Sequence, residues 1–410
     1  MKILVISHTY IAPINRDKWK TVAILYPNDE IKVVFPLVWP THLFIHKAQN
    51  IENDNLQNCE FIALDTFKAG NEVLYGYRVK PLYRLLKGFG PDIIHVEQGD
   101  NAFSYFQVIF LKKLLWLKEF ISVGRSPTTP RWLRRAGPLH PPKKRRSVYT
   151  KFIFFTWVNW QANFSLKYRL IWRWLEKFNL AHSSGAIVGN GDAQKILHAK
   201  NFTKPIQVFP QLGVNQDVFK PNPTKKSTKT IGFLGRLVPE KGVLLLLQVF
   251  LELKKTFPEW NLLIVGRGPE QEALEHFVRQ NKIQDVMFAP PVSHYEMANL
   301  INTIDILVLP SYDTPDWKEQ FGHILIEAMA CAVPVIGSSA GEIPNVIQDA
   351  GLIFEQKNHQ ALLDSLKTLM QDESVRKVFG QKGLERVTKH YCHEAIAQAT
   401  HKFWEEILYE

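Results

Sequence analysis

The second half of the chain alternates between short apolar runs and helical patterns, and this alternation restricts the fold more than any other feature. Short runs of aliphatic and β-branched residues predict strands, and the longer segments between them predict helices. Strands and helices in strict alternation are typical of parallel sheets covered by helices. The predicted strands are Thr230–Leu234, Leu262–Val265, Val286–Ala289 and Ile306–Leu309, and the predicted helices are Val243–Phe257, Glu270–Gln280 and His294–Ile304.

The first half shows the same alternation less regularly. Helical patterns at Leu74–Lys87 and Phe164–Leu180 lie between some of its strand-like runs. A chain of 410 residues is long enough for two domains with separate cores. We therefore expect an α/β protein with two doubly wound domains. The predicted strands of this half are Lys2–Ser7, Ile31–Pro36, Phe61–Leu64, Asp92–Glu97, Phe152–Trp157, Ala186–Val188 and Ile206–Phe209.

The segment 213–229 is the best candidate for a linker between the domains. It is polar, contains two prolines and has no clear period. The predicted organisation is an N-terminal Rossmann-like domain over residues 1–212, a C-terminal one over 213–390, and a last segment over 391–410. Two such domains would face each other across a cleft, because ligands bind at the carboxyl ends of doubly wound sheets.

The number of cysteines and the first residues of the sequence indicate in which cellular compartment the protein is expected. The three cysteines are widely spaced and odd in number, which argues against a disulfide framework or a metal cluster and suits a reducing cytosol. Residues 1–7 are too short for a signal peptide and predict a first strand. The most apolar helical stretch, residues 102–120, carries three lysines, so we do not expect it to span a membrane. The expected location is the cytoplasm.

The net charge of +11 is concentrated in one place. Residues 121–150 contain eight lysine and arginine residues, five prolines and no acidic residue, which predicts an insertion without regular structure. Three interpretations remain open: a solvated loop, a contact with anionic lipid head groups at the inner face of the cell membrane, or a contact with nucleic acid. No RNA- or DNA-binding signature accompanies the run, so a nucleic-acid partner is not expected.

The stretch Glu319–Glu327 places two carboxylates eight residues apart, with Phe321 and Gly322 between them. A predicted strand precedes the stretch and another follows it. If a helix starts near Gly322, its free backbone N–H groups favour an anion, with one carboxylate on each side. Carboxylates accept hydrogen bonds from sugar hydroxyls, so a nucleotide sugar fits the arrangement. Alternatively, both glutamates are ordinary charges on a helix surface.

Two cations follow the first strand of the second domain. Gly235 ends that strand, Arg236 comes next, and Lys241 directly precedes a helix. Such a pair can hold a diphosphate and neutralise the charge that grows on it as it leaves. The turn after the next strand, Gly266–Glu270, is rich in glycine but lacks the dinucleotide-binding fingerprint. Surface charges would also explain the two cations.

Taken together, these motifs resemble those of the retaining group 1 glycosyltransferases, family 4, which have the GT-B fold. The match covers essentially all of residues 186–405 and is weaker over 1–120 and 150–185. The segments that carry it are Gly235-Arg236, Lys241-Gly242, Ile264–Glu270, Val308–Ser311, Glu319–Glu327 and Gly341–Pro344. The resemblance implies two Rossmann-like domains, a nucleotide sugar held mainly by the second, and sugar transfer with retention and without a cofactor or required metal.

The same resemblance implies roles for individual residues. Arg236 and Lys241 would hold the diphosphate as the leaving group, and Glu319 would bind hydroxyls of the donor sugar. Phe321 and Gly322 would supply backbone contacts near the sugar and phosphate. Glu327 would bind the ribose hydroxyls, and the strand end around Ala289–Val292, including Val292, would lie against the base. The last helix, near Glu394–Leu408, would cross back to the first domain.

The N-terminal half departs from the family pattern where the acceptor is expected to bind. The loop after the first strand, residues 8–17, has no glycine, and no histidine follows the predicted strand Phe152–Trp157. Glu97 lies where some relatives have a polar acceptor-site residue. It is therefore predicted either to line the acceptor site or to be a structural carboxylate at a strand end, whereas His95 is predicted to be packed in its strand.

Two functions follow from these observations. The first is a glycosyltransferase that moves a sugar from a nucleotide-diphosphate sugar to a glycan or lipid-linked acceptor in cell-surface or exopolysaccharide biosynthesis. The second is a non-catalytic protein that binds nucleotide sugars or polyanions. The sequence combines the donor-binding motifs of the family in its second half with altered acceptor loops in its first half. This combination is compatible with both functions.

Overall fold

The computed structural model describes residues 1–40, 45–48, 56–124, 150–159, 169–224 and 226–409. The chain divides into two compact units. Unit 1 consists of Met1–Gly189, Ala193–Gln211 and the residues from Ala397 onwards, and unit 2 consists of Asn190–Asp192 and Leu212–Ile396. Of the predicted basic insertion, residues 125–149 lie outside the described part of the chain.

Unit 1 is built on a seven-stranded parallel sheet with the order β11-β10-β9-β8-β1-β2-β5. Most of its strand residues are buried, as expected for a parallel sheet that is covered on both faces. Two short antiparallel pairs, β3 with β4 and β6 with β7, accompany it. The strands are β1 (Lys2–Ile6), β2 (Glu30–Pro36), β3 (Val38–Pro40), β4 (Ile45–Lys47), β5 (Cys59–Leu64), β6 (Thr66–Phe67), β7 (Gly76–Tyr77), β8 (Ile93–Val96), β9 (Lys151–Thr156), β10 (Gly185–Val188) and β11 (Ile206–Val208).

The helices of unit 1 include the end of the chain. They are α1 (Asp17–Leu25), α2 (Val79–Phe89), α3 (Phe103–Gly124), α4 (Arg169–His182), α5 (Gly191–Ala199, whose first two residues belong to unit 2) and, after the helices of unit 2, α13 (His393–Tyr409, whose first four residues belong to unit 2). On α13, Trp404 stacks on Trp19 of α1 with a centroid distance of 5.8 Å, and His401 Nε2 lies 2.8 Å from Asp29 Oδ2. The buried His95 contacts the edges of both tryptophan rings, which confirms it as a packed strand residue.

Unit 2 is a six-stranded sheet with the order β14-β13-β12-β15-β16-β17, again parallel throughout. This is the 3-2-1-4-5-6 order of doubly wound dinucleotide-binding folds. Its strands are β12 (Thr230–Leu234), β13 (Asn261–Val265), β14 (Val286–Ala289), β15 (Ile306–Leu309), β16 (Val335–Ser338) and β17 (Leu352–Phe354). Its helices are α6 (Val243–Leu253), α7 (Gln271–Gln280), α8 (His294–Ile301), α9 (His323–Ala330), α10 (Ile343–Ile347), α11 (His359–Gln371) and α12 (Glu373–His390).

The predicted α/β fold class with two doubly wound sheets is confirmed. The predictions that were wrong concern the positions at which helices begin and end. The prediction for Val243–Phe257 was too long, because α6 ends at Leu253 before the turns that lead to Pro258, a residue that disfavours helix before it. The helix predicted at Leu74–Lys87 begins only at Val79, because Gly76–Tyr77 pairs with β6 instead. The first five residues of the helix predicted at Phe164–Leu180 lie outside the described residues.

No helix in the described part of the chain is long and apolar enough to cross a membrane.

Candidate active site in the second unit

The candidate site lies where the strand order of unit 2 reverses. β12 is the first strand of this sheet in sequence, and it lies between β13 and β15. The crossovers from these central strands therefore run in opposite directions, which leaves a crevice at their carboxyl ends. Two loops border this crevice, residues 235–242 after β12 and residues 310–322 after β15.

The loop after β12 packs tightly against the loop after β15. It ends in a short 3-10 helix, Pro239–Lys241, followed by Gly242 with a φ of +68°. A Cβ atom on Gly242 would lie 2.1 Å from the carbonyl oxygen of Pro310. Only glycine permits both this backbone conformation and this approach. The glycine after Lys241 thus lets the loop bring the lysine to the neighbouring strand end.

The other two predicted residues of this loop differ in exposure. Gly235 is half-buried, and its N–H donates to the carbonyl oxygen of Val265 at 2.9 Å, which ties the loop to the end of β13. The side chain of Arg236 is exposed and forms no ion pair with any residue that the structure describes. Arg236 can therefore reach a ligand without first breaking a described salt bridge.

Lys241 and Glu319 form an ion pair at the crevice. Lys241 Nζ lies 2.5 Å from Glu319 Oε2, and the hydroxyl of Ser311 donates to the same carboxylate oxygen at 2.9 Å. The ammonium group also lies 5.1 Å from the centroid of the Trp317 ring, a cation–π distance. The side chains of Lys241 and Glu319 remain 13% and 10% exposed. The pair is thus shielded but can still be reached from solvent.

Gly341 holds the backbone of Glu319 in place. Its φ is +49°, and a Cβ atom there would lie 2.1 Å from the Glu319 carbonyl oxygen. The same oxygen accepts a hydrogen bond of 3.1 Å from the N–H of Glu342. The turn after β16 therefore fixes the position of a carboxylate that follows β15.

The helix α9 begins directly after this carboxylate. Gly322, with a φ of +81°, is its N-cap residue, and no described side chain caps it. Phe321 is buried and anchors the turn before the helix. The first N–H groups of a helix have no partner within it, and they favour an anion. The structure therefore places a helix start beside the Lys241–Glu319 pair, as the spacing predicts.

Glu327 lies further along α9 and has an unusual acidity. Burial raises the pKa of its carboxyl from 4.5 to about 7. Its side chain is half-buried and forms no ion pair with a described residue. A carboxyl whose pKa is raised to near neutral pH is a candidate functional position rather than part of a solvated helix face.

Val292 lies just beyond the carboxyl end of the outermost strand of unit 2. It is half-buried and follows β14, the outer strand next to β13. The next residue, Ser293, caps α8 through a capping box with Glu296. Because the strands are parallel, Val292 shares the carboxyl edge of the sheet with the crevice, two strands from the loop of Lys241.

Glu97 belongs to unit 1 and is enclosed there. Its side chain is 0% exposed, and Lys18 Nζ lies 2.6 Å from its Oε1. Tyr10 and Gln211 donate hydrogen bonds to its Oε2. Burial alone would raise the pKa of Glu97, but the charge of Lys18 and the neighbouring donors hold it below its usual value. These contacts are those of a structural carboxylate, and an acceptor role for Glu97 stays a prediction.

The structure thus brings Gly235, Arg236, Lys241, Glu319 and the start of α9 to one edge of unit 2. Ser311 and Trp317 were missed as contributors to this site. Ser311 belongs to the motif Val308–Ser311, but its bond to Glu319 depends on a loop conformation that spacing does not show. The part of the chain that the structure describes contains no cluster of three or more histidine, cysteine, aspartate or glutamate side chains that could hold a metal ion.

Comparisons with known proteins show a family match over the part of the chain that contains this site. Residues 214–386 match the family described as glycosyl transferases group 1. D-inositol 3-phosphate glycosyltransferase of Corynebacterium jeikeium is 30% identical over 190 residues, which are 44% of this chain and 44% of that protein. The capsular polysaccharide biosynthesis glycosyltransferase CapM of Staphylococcus aureus is 29% identical over 187 residues, 43% of this chain and 44% of CapM. The match therefore spans about half the length of these curated relatives.

Similarity to solved structures extends further along the chain. The crystal structure of Anabaena HepE in complex with UDP and glucose covers 99% of this chain and 100% of that chain, with a TM-score of 0.60 and 13% identity. At this identity the likeness concerns the fold, and it confirms the predicted GT-B class. Residues 214–386, which contain the candidate site, thus match the group 1 glycosyltransferases.

Proposed function

We propose that this protein is a retaining, metal-independent hexosyltransferase. It moves a sugar from a nucleotide-diphosphate sugar to a glycan or lipid-linked acceptor, in cell-surface polysaccharide biosynthesis. The family of residues 214–386 supports sugar transfer. The name of CapM supports a polysaccharide product, and the UDP and glucose bound by HepE support a nucleotide-sugar donor.

The observation that carries the proposal is the Lys241–Glu319 ion pair at the strand-order switch. Without a ligand, each group neutralises the other. A diphosphate is a stronger partner for the lysine than a single carboxylate, because it carries more charge and more acceptor oxygens. Donor binding would thus draw Lys241 to the diphosphate and leave Glu319 to accept hydrogen bonds from the sugar.

Arg236 supplies the second cation in this mechanism. Its exposed guanidinium can contact the diphosphate together with Lys241. As the bond between the sugar and the diphosphate breaks, negative charge grows on the departing oxygen. Two cations and the start of α9 would stabilise that charge, which is the largest contribution such a site can make.

The remaining predicted contacts extend the donor along the sheet edge. The backbone at Phe321 and Gly322 would contact the sugar and phosphate, Gly235 would allow close approach of the loop, and Glu327 would bind the ribose hydroxyls. The base would then lie against Val292. We place the acceptor on unit 1, where the enclosed Glu97 would hold Tyr10 of the loop after the first strand in position.

Substitution of the ion pair tests the proposal. Lys241→Ala and Glu319→Gln should each lower transfer by at least about a hundredfold, the scale for loss of one transition-state contact. A matched control is Lys254→Ala, because the 14% exposed Lys254 also pairs with a carboxylate of unit 2, Asp285 at 2.6 Å, but at the opposite end of the sheet. Equal activity of all three variants and the wild type would contradict the site assignment.

A screen of nucleotide sugars by thermal shift identifies the donor. A true donor at about 100 times its dissociation constant stabilises the folded protein by about 2.7 kcal/mol. The non-catalytic alternative also predicts this shift, so donor hydrolysis and transfer must be measured on the same samples. Donor binding without either reaction, across a panel of glycan and lipid-linked acceptors, would favour the alternative. We place the protein in the cytoplasm, peripheral to the inner face of the membrane.

A further inference from the structure

The outer faces of α3 and α4 in unit 1 are unusually apolar for a surface. On α3, Phe110, Leu117 and Ile121 are 51%, 47% and 45% exposed. Their spacing of seven and four residues places them on one stripe of the helix. The opposite side of α3 is also apolar and buried against the unit, as Val108 and Leu115 show. Because the inner side already satisfies the core, the outer stripe requires another explanation.

The neighbouring helix continues this surface. On α4, Leu170, Ile171 and Trp174 are 81%, 61% and 55% exposed. The ring of Trp174 lies 5.3 Å from that of Phe106 on α3, so the two helices are in direct contact. Single exposed apolar residues are ordinary, but six large ones on two adjoining helices form a patch that marks an interaction site. We call these six residues the outer stripe; they are Phe110, Leu117, Ile121, Leu170, Ile171 and Trp174.

The surroundings of the outer stripe are positively charged. The three helices α2, α3 and α4, which contact one another in that order, contain nine lysine and arginine residues and two acidic ones, a net charge of +7. One of the two acids, Glu176, forms an ion pair with Lys200. With a further +8 in the sequence of residues 121–150, the remainder of the chain has a net charge of −4. The net positive charge of the sequence is therefore concentrated in these three helices and in residues 121–150.

Several exposed cations lie within the stripe rather than far from it. Lys113 stands between Phe110 and Leu117 at helical spacing, and Arg173 and Lys177 flank Trp174. A partner of this surface must accept apolar and aromatic side chains and cationic groups together. An anionic bilayer has this layered chemistry, with phosphates above an apolar interior and an interface that tryptophan prefers.

We propose that the outer stripe docks unit 1 on an anionic lipid surface. Its apolar side chains enter the boundary between head groups and acyl chains, and Lys113, Arg173 and Lys177 contact lipid phosphates. This docking is independent of the proposed transfer chemistry in unit 2, and its test needs no catalysis.

Sedimentation with vesicles measures the docking. At about 0.1 M salt, the wild type should bind mixed phosphatidylglycerol–phosphatidylcholine vesicles and not pure phosphatidylcholine. The pair Leu117→Ser and Trp174→Ser should weaken binding at least about tenfold, since each loses burial of a large apolar side chain. The pair Lys113→Glu and Lys177→Glu should weaken it by about tenfold or more. The control Ile24→Ser, a 65% exposed residue on α1 of the same unit, should leave binding unchanged.

A spectroscopic measurement distinguishes insertion from simple electrostatic attraction. Brominated phosphatidylglycerol should quench tryptophan fluorescence on binding, and Trp174→Phe should reduce the quenching while binding persists. Thermal unfolding should be unchanged in the Lys113→Glu, Lys177→Glu and Ile24→Ser variants, whose side chains are exposed. The Trp174 variants lose the contact with Phe106 and should remain folded at the assay temperature. No binding of the wild type to anionic vesicles, or binding that survives both pairs, would overturn the proposal. Dimers that dissociate in the Leu117→Ser, Trp174→Ser variant, without vesicle binding, would overturn it in favour of self-association.

Discussion

Replacing Glu327 by glutamine should stabilise the protein at pH 8 but not at pH 5. Burial of the Glu327 carboxyl within unit 2 raises its pKa to about 7, whereas the ordinary value is 4.5. Between pH 4.5 and about pH 7, the Glu327 carboxyl of the folded protein keeps a proton that the unfolded chain has released. The folded state binds more protons, so its stability falls as the pH rises through this window.

The size of the effect follows from the two pKa values. A pKa difference of one unit between the folded and unfolded states corresponds to about 1.4 kcal/mol. Ionisation of Glu327 therefore costs the folded state at most about 3 kcal/mol once the pH exceeds 7. The side chain is only half-buried, and residual contact with water reduces this figure to about 2 kcal/mol. Glutamine does not ionise, and Glu327→Gln removes this cost.

Urea unfolding at pH 5, 6.5 and 8 checks the prediction. The free energy of unfolding of Glu327→Gln, relative to the wild type, should rise by about 2 kcal/mol between the first and last pH. Glu385→Gln, on an exposed position of α12, is the matched control and should stay within about 0.5 kcal/mol throughout. A difference for Glu327→Gln that does not change with pH would refute the argument that burial controls this carboxyl.

The same substitution tests the proposed contact with ribose. An ionised carboxylate accepts hydrogen bonds from two hydroxyls, whereas the protonated form has less acceptor capacity. Affinity for UDP should therefore rise between pH 6 and pH 8 in the wild type. The factor by which it rises should be about ten times smaller in Glu327→Gln. The terminal phosphate of UDP also titrates near pH 6. Its contribution is the same for the wild type and the variant, because both bind UDP, so the comparison between them removes it. Parallel pH profiles, measured by calorimetry, would count against a role of Glu327 in nucleotide binding.

Three further substitutions test the packing around the two ion pairs. Lys18→Met should cost about 3–5 kcal/mol in urea unfolding because it leaves Glu97 charged and buried, and adding Glu97→Leu should recover most of the loss. Gly242→Ala should destabilise by about 2–4 kcal/mol and weaken UDP binding, because a Cβ atom there meets a carbonyl oxygen of the next loop at 2.1 Å; normal stability would contradict the interlocked loops. Ser311→Ala should raise the KM for the donor about three- to tenfold and cost about 1 kcal/mol of stability, since it removes one buried hydrogen bond to Glu319. An unchanged KM would show that this bond does not position the carboxylate.

The strands of unit 2 could be predicted from the sequence because parallel strands are buried on both faces. Such strands are short unbroken apolar runs, and β12 and β15 have the bounds that the pattern predicts. The strand β14 also has its predicted bounds, although it lies at the sheet edge and is only partly buried. Helix ends were less predictable, since caps and turns decide them. The helix predicted to reach Ile304 ends at Ile301, where Asn302 places its side-chain amide against Ala298 O and Lys220 O.

The neighbours of the site residues could not be predicted in the same way. Lys241 and Glu319 are 78 residues apart, and they meet because β15 pairs with β12 although two strands, β13 and β14, come between them in the sequence. Alternation alone allows several strand orders. The motif spacing indicated a ligand site, but the ion pair follows only from the observed order.

The two lysine–glutamate pairs show what separates a site from a scaffold. In each pair a glutamate beyond the end of a strand meets a lysine from another segment, and the sequence offers no difference in chemistry between them. Lys18 and Glu97 are 1% and 0% exposed, so opening that pair would leave two buried charges unpaired. Lys241 and Glu319 keep 13% and 10% of their surface in contact with solvent. Under the proposed function, an incoming phosphate would replace Glu319 at Lys241 without leaving either charge buried and unpaired, because both side chains keep contact with solvent.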